Sequence, residues 1–143
     1  MEGMEPPSTV QGVMSKPVIT IEMGNTVQAS AEIMSKKNAG SIIVTKKSEP
    51  IGIVTERDIL RRVVAKGLDG SRMLIEEIMS KPLVTISENI PIIEAIRILQ
   101  KKKIRRLLIL DKNRLVGIVT QRDLLRALAL HVIISFRPLL KMA

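Results

Sequence analysis

The run Gly52-Ile53-Val54-Thr55-Glu56-Arg57-Asp58-Ile59-Leu60-Arg61 returns 65 residues later as Gly117-Ile118-Val119-Thr120-Gln121-Arg122-Asp123-Leu124-Leu125-Arg126. The same offset, with no gap, carries Val13-Met14-Ser15-Lys16-Pro17-Val18-Ile19-Thr20-Ile21 onto Ile78-Met79-Ser80-Lys81-Pro82-Leu83-Val84-Thr85-Ile86. Residues 13–61 and 78–126 are therefore two copies of one unit, identical at 18 of 49 aligned positions, and most other apolar positions exchange Ile, Leu, Val or Met. Two copies are too few for a solenoid, whose inner repeats must be covered on both sides, so a closed pseudo-twofold pair is expected. Lys66 to Ser71, polar and containing glycine, reads as the link. The expected division is 1–72 for the first unit with its N-terminal segment, 73–130 for the second, and 131–143 for a helix end and tail.

Each copy has the same grammar. Val18–Ile21 and Leu83–Ile86 are short β-rich runs following a proline, whose fixed φ suits an extended start. Apolar residues at helical spacing (Val27, Ala31, Met34; Ile92, Ala95, Ile96, Leu99) predict helices over 26–37 and 91–102, with Pro91 in a first helical turn. Ser41–Thr45 and Arg106–Leu110 are aliphatic runs followed by turn-like 46–50 and 111–114, then by Ile51–Val54 and Leu115–Val119, which predicts a hairpin in each copy. Glu56–Ala65 and Gln121 to about Ile134 close the copies as helices. Phe136 and Pro138 suggest that the last helix ends near Ser135, with a short tail beyond. The order per unit is strand, helix, strand, strand, helix, an α/β (α+β) fold.

Composition narrows the chemistry. The chain has 143 residues and no Cys, which excludes disulfides, thiolate zinc sites and cysteine nucleophiles. His131 is the single histidine, so no histidine cluster can hold a metal. It also has no evident nucleophile or acid partner, and Thr55 and Thr120 have no base within their motif. Neither a GxxxxGK[ST] loop nor a GxGxxG turn occurs. No catalytic or metal constellation is expected, and the reading is of a protein that is not an enzyme and requires no cofactor. No stretch approaches the roughly 20 apolar residues of a membrane span, and the first residues lack a basic run followed by an apolar one. A soluble cytoplasmic protein without membrane association is expected. Aliphatics supply the core, since Phe136 is the only aromatic residue.

The duplicated Gly-apolar-apolar-Thr-x-Arg-Asp has a plain structural reading. Thr55 with Asp58, and Thr120 with Asp123, are spaced as a capping box in which Asp replaces the usual Glu or Gln. Further features point beyond a cap. Gly52 and Gly117 fall inside strand patterns, where glycine marks close approach by a ligand or another backbone. Arg57 and Arg122 put positive charge beside a helix N-terminus, where an anion is favoured. A carboxylate can accept from a ribose diol while a hydroxyl and free backbone amides take a phosphate.

On these motifs the chain resembles a tandem cystathionine β-synthase (CBS) domain pair, or Bateman module, over roughly residues 10–130. The residues carrying the resemblance are the Met-Ser-Lys-Pro lead-in, the Ala-containing first helix and the Gly-Ile-Val-Thr-x-Arg-Asp present twice in register. The resemblance implies a regulatory module that binds an adenosine-containing ligand (AMP, ADP, ATP or S-adenosylmethionine) in clefts between the paired units. It implies that Thr55 and Thr120 contact phosphate, that Asp58 and Asp123 contact ribose, and that Ile53 or Ile118 packs on adenine. It places Ala39, Gly40 and Ser41 in the first copy, and Ile104, Arg105 and Arg106 in the second, along the ligand. It further implies a homodimer that passes its signal to an effector protein which the sequence does not name.

Charge separates the copies. The formal net charge of +9 divides into +2 for residues 13–61 and +7 for 78–126, the remainder cancelling. Lys101, Lys102 and Lys103 suit a helix C-terminus, whereas Arg105 and Arg106 offer forks for phosphate oxygens, so unequal phosphate handling is expected. Two alternatives stand beside ligand sensing. Nucleic-acid binding through the basic second copy has its electrostatics in place but lacks an aromatic stacking platform and a groove-reading helix. A purely structural dimerisation module would leave the clefts empty.

Overall fold

A computed structural model describes residues 6–15, 18–81 and 83–142. Lys16, Pro17 and Pro82, which belong to the Met-Ser-Lys-Pro lead-ins, lie outside the described residues. In the first repeat, β1 (Thr20–Glu22), α1 (Val27–Lys37), β2 (Ser41–Lys46), β3 (Glu49–Thr55) and α2 (Glu56–Ile59) follow one another, and α2 continues as a π turn, Leu60–Val64. The second repeat gives β4 (Thr85–Ser87), α3 (Ile92–Lys102), β5 (Arg106–Asp111), β6 (Arg114–Thr120) and α4 (Gln121–Ser135), then α5 (Arg137–Met142). The predicted element order is observed in both repeats. Three local expectations change: the first strands begin two residues later than predicted, Pro91 is the N-cap of α3 rather than its first residue, and the tail after Phe136 is helical.

Each repeat forms a three-stranded sheet in which the first strand is parallel to the second and the second is antiparallel to the third. The parallel connection needs a crossover, which α1 and α3 supply. The antiparallel connection is a two-residue turn with both residues at positive φ: Lys47 and Ser48 (50° and 68°), and Lys112 and Asn113 (50° and 63°). This is the type I′ geometry that matches strand twist, here without the usual glycine. In the first repeat Glu22 anchors the turn, accepting from the Thr45 hydroxyl at 2.6 Å and from the Lys47 backbone N–H. Its counterpart in the second repeat is Ser87.

The sequence repeats and the compact units divide the chain differently. One unit comprises Val18–Leu83 and the other Met1–Pro17 together with Val84–Ala143. The division at residue 72 separates the repeats of the sequence, whereas each compact unit takes its lead-in from the other repeat. The physical reason is apolar burial. Val10, fully buried, enters the core of the second repeat with Ile86, Ile92, Leu99, Leu107, Ile109, Val119 and Leu124, while Val13 and Met14 pack against it. Ile75 and Ile78 do the same for the first repeat beside Val27, Met34, Ile42, Val44 and Val54. Each lead-in also extends a sheet by one antiparallel bridge, Ser80 with Ile53 and Ser15 with Ile118.

The bridges bring a methionine over each strand glycine. A Cβ at Gly52 would lie 2.4 Å from Met79 Sδ and 2.7 Å from its Cγ. At Gly117 the same distances to Met14 are 2.5 and 2.8 Å. The group that approaches each glycine is thus a methionine side chain of the same unit, in place of the ligand or other backbone expected from the sequence. His131, the single histidine, lies on α4 with Nε2 2.5 Å from the Pro7 carbonyl oxygen, fastening the N-terminal segment to that helix.

Candidate functional site

The turn from third strand to second helix is built identically in both repeats. Thr55 Oγ1 accepts from the Asp58 backbone N–H at 3.1 Å, and Asp58 Oδ2 accepts from the Thr55 N–H at 2.9 Å. For Thr120 and Asp123 both distances are 3.1 Å. The predicted capping boxes are thus present with both reciprocal bonds, satisfying two donors that a helix start would otherwise leave unpaired. The first helical N–H is also occupied: Glu56 donates to the Gly40 carbonyl at 3.0 Å and Gln121 to the Arg105 carbonyl at 2.8 Å. Among the described residues, the first-turn amides of Arg57 and Arg122 have no such partner.

These bonds also explain how residues distant in sequence meet. Asn38 and Lys103 adopt left-handed φ (53° and 54°) at the ends of α1 and α3, turning the chain into the second strand. Ala39 and Ile104 then donate back to Met34 and Leu99. Ser41 consequently pairs across the sheet with Thr55, and Arg106 with Thr120. Side chains alternate along a strand, so Ser41, Ile43, Ile53 and Thr55 share one sheet face, as do Arg106, Leu108, Ile118 and Thr120. The opposite face carries Ile42, Val44 and Val54 in one core and Leu107, Ile109 and Val119 in the other. Within each unit the structure therefore gathers most of the sequence-predicted positions around the capped turn: Ala39, Gly40, Ser41, Ile53, Thr55, Arg57 and Asp58, and their second-repeat equivalents Ile104, Arg105, Arg106, Ile118, Thr120, Arg122 and Asp123; Gly52 and Gly117 fall on the opposite sheet face.

The equivalents differ in chemistry. In the second repeat Arg106 stands opposite Thr120 and is half-buried, and Arg105 is exposed; the first repeat has Ser41 and Gly40 there. Lys101 and Lys102 occupy the last turn of α3, where positive charge complements the helix dipole, with Lys103 as its cap. Gly52 and Gly117 are on the core-facing side, under Met79 and Met14, and their packing accounts for them without a ligand. Sequence reasoning missed the partners of those glycines, although Met-Ser is itself duplicated at the 65-residue offset. It also missed Arg62, whose Nη1 donates to the Ile78 carbonyl at 2.6 Å and whose Nη2 is 3.8 Å from Asp58 Oδ1.

Among the described residues, no group of His, Asp and Glu is placed to hold a metal, and no helix is long and apolar enough to cross a membrane. A shallow open depression runs along α4 past Arg122, Leu125, Arg126 and Ala129, beginning at Gln121 beside the capped turn.

Comparison with known proteins agrees with this architecture. An uncharacterised protein of Methanopyrus kandleri is 40% identical over 120 residues, covering 82% of this chain and 61% of the relative, so the chain spans less than two thirds of that protein. The CBS domain-containing protein YhcV of Bacillus subtilis is 38% identical over 117 residues, covering 82% of this chain and 83% of the relative. Among solved structures, an uncharacterised conserved protein from Pyrococcus horikoshii aligns with a TM-score of 0.72 at 30% identity, over 87% of this chain and 94% of that one. The CBS domain pair of protein MJ0100, solved with 5′-methylthioadenosine and S-adenosyl-L-methionine, aligns with a TM-score of 0.69 at 28% identity, over 86% and 98%. The CBS domain model matches residues 10–65 and again 75–130, and the chain belongs to the CBS domain family as a tandem pair.

Proposed function

We propose that this CBS pair is a regulatory sensor of adenosine-containing ligands, with no chemistry of its own. The observation that carries the reading is the duplicated capped turn, which sets a carboxylate, a hydroxyl and a helix-start amide without a partner among the described residues side by side in each unit. The solved complex of the MJ0100 pair with two adenosyl compounds supports the choice of ligand class. Asp58 and Asp123 would accept from ribose hydroxyls, and the amides of Arg57 and Arg122, with the Thr hydroxyls, would meet a phosphate or its equivalent. Ile53 and Ile118, one turn of strand away on the same face, would pack on the base. Arg105 and Arg106 favour a phosphorylated ligand at the second repeat.

We further propose that the signal passes to an effector protein and that a homodimer delivers it. Val132, Ile133 and Phe136 on and just beyond α4 are about half exposed, apolar surface that a second copy would cover. The deciding experiment is a thermal-shift panel of AMP, ADP, ATP and S-adenosylmethionine. A ligand at 100 times its dissociation constant adds about 2.7 kcal/mol to the folded state, which such a panel resolves. The expected result is stabilisation by at least one member, reduced in Asp58→Asn and Asp123→Asn. No shift from any member, together with salt-sensitive binding of DNA or RNA, would replace this reading with nucleic-acid binding through the basic second repeat.

A further inference from the structure

The two repeats diverge abruptly after the shared motif. In α4 the helix continues regularly from Asp123, and Leu124 and Ala127, three residues apart, both face the core. In the first repeat the hydrogen-bond ladder changes to a π turn over Leu60–Val64, with Ala65 donating to the Leu60 carbonyl at 2.8 Å. The residue that reaches the core there is Val63, four positions after Ile59. A π turn accommodates one extra residue per turn, and such turns are frequent at functional sites. Arg62, on this turn, is exposed, whereas the residue aligned with it in the second repeat, Ala127, is buried.

Arg62 is not loose. Its Nη1 is held by the Ile78 carbonyl at 2.6 Å, a charge-assisted bond to the lead-in that completes this unit. Nη2 is thereby set 3.8 Å from Asp58 Oδ1. Asp58 Oδ2 already accepts the cap bond from the Thr55 N–H, so both oxygens of Asp58 are engaged, one by a neutral amide and one by the guanidinium. In the second repeat Asp123 Oδ2 accepts from Thr120, and among the described residues Oδ1 has no ion-pair partner, because Ala127 offers only a methyl group.

We infer that Arg62 makes the two repeats unequal toward a ribose diol: it latches Asp58, so that the carboxylate open to a cis-diol is Asp123. This rests on the proposed adenosine-ligand reading and adds to it a residue that sets which repeat fills first. The capping bonds are common to both repeats and cannot produce the difference. The π turn and the Ile78 carbonyl do, by fixing the guanidinium where it competes for the outer oxygen of Asp58. A latch of this type, an exposed ion pair, should weaken diol acceptance on the order of fivefold.

The test is calorimetric titration of the full chain with adenosine, which has the diol but no phosphate, so that Arg105 and Arg106 do not enter. The control ligand is 2′,3′-dideoxyadenosine. Wild type should show a tighter and a weaker adenosine site, with Asp123→Asn removing the tighter and Asp58→Asn sparing it. Arg62→Ala should strengthen the weaker site about fivefold for adenosine and leave 2′,3′-dideoxyadenosine unchanged. Arg62→Gln, which can still donate to the Ile78 carbonyl while losing the charge, should do the same with the turn intact. Adenosine bound with an unaltered ratio in both variants, or both ligands changing together, overturns the latch and leaves the sensor reading standing. Absence of adenosine binding in wild type and in Asp58→Asn, with no response to the nucleotide panel, overturns both.

Discussion

Gly52→Ala separates the two meanings of a strand glycine. The added Cβ would sit 2.4 Å from Met79 Sδ, 2.7 Å from Cγ and 3.0 Å from Cβ. Carbon contacts are ordinarily 3.5–4.0 Å, and the crowded atoms include the base of the methionine, which cannot swing aside as its tip can. Overpacking of this degree costs about 1–3 kcal/mol, against which alanine recovers about 0.5–1 kcal/mol of the conformational cost of glycine. The net expectation is about 0–2.5 kcal/mol of destabilisation, centred near 1 kcal/mol, read by urea unfolding as a lower midpoint at unchanged slope. Met79→Ala in the same chain removes the two closest atoms, Sδ and Cγ, and leaves only Cβ at 3.0 Å, so the double variant should be more stable than the sum of the single changes by about 1–2 kcal/mol. Additivity within about 0.5 kcal/mol would refute the argument that the glycine exists for the methionine. Unchanged stability with loss of nucleotide response would return Gly52 to the ligand. The Gly117 and Met14 pair, with a 2.5 Å approach, provides an independent repetition.

Other expectations test the remaining packing and electrostatics. Thr55→Val and Thr120→Val each lose a cap of about 1 kcal/mol, and because the boxes have the same bonds the two costs should agree within a few tenths by chemical denaturation. Hydrogen bonds from the Thr45 hydroxyl first, and from the Lys47 and Ser48 N–H groups, lower the pKa of Glu22. The contribution of Glu22 is therefore present above about pH 4.3 and is lost as pH falls through its lowered folded value. Glu22→Gln should remove that part of the acid dependence in a pH series of unfolding midpoints, and an unaltered series would contradict it. Leu124→Ala, emptying a fully buried site, should cost about 2–5 kcal/mol, whereas Leu125→Ala, about half exposed, should stay within about 0.5 kcal/mol in dilute protein. A larger, concentration-dependent cost at Leu125 would show that a second copy covers α4.

Much of the fold was legible because its information is local and written twice. Val27, Ala31 and Met34 specify a helix face whatever they pack on, and Thr55 with Asp58 specifies a helix start from spacing alone. The pairing of lead-ins was not legible. Met14 and Met79 are chemically equivalent partners for Gly52, and nothing in composition or period says that Met79 takes it while Met14 crosses to Gly117. The I′ turns were hidden for a related reason: Lys47-Ser48 and Lys112-Asn113 lack the glycine that normally announces positive φ, and the flanking strands impose it. The π turn leaves no trace in the alignment, which stays gapless through Arg61 while the helix beneath it has already changed ladder.

The same comparison determines which residues can carry information about a ligand. Thr55, Asp58 and their second-repeat equivalents have structural employment in caps as well as the hydroxyl and carboxylate a ligand would use, while Gly52 and Gly117 are employed in packing. What a structural role does not require is divergence at the one place where the repeats share every surrounding bond. Arg106 opposite Thr120 where the first repeat has Ser41, and Arg62 beside Asp58 where the second repeat has Ala127, are such divergences. Both alter charge within reach of a capped turn whose geometry is otherwise held constant. The first adds attraction for an anion at the second repeat, and the second withdraws a carboxylate from the first. On the proposed sensor reading the two changes act in the same direction, toward a pair whose second repeat would bind a ribose phosphate first. A function confined to dimerisation gives no reason for that agreement, whereas graded occupancy of two sites by one ligand does.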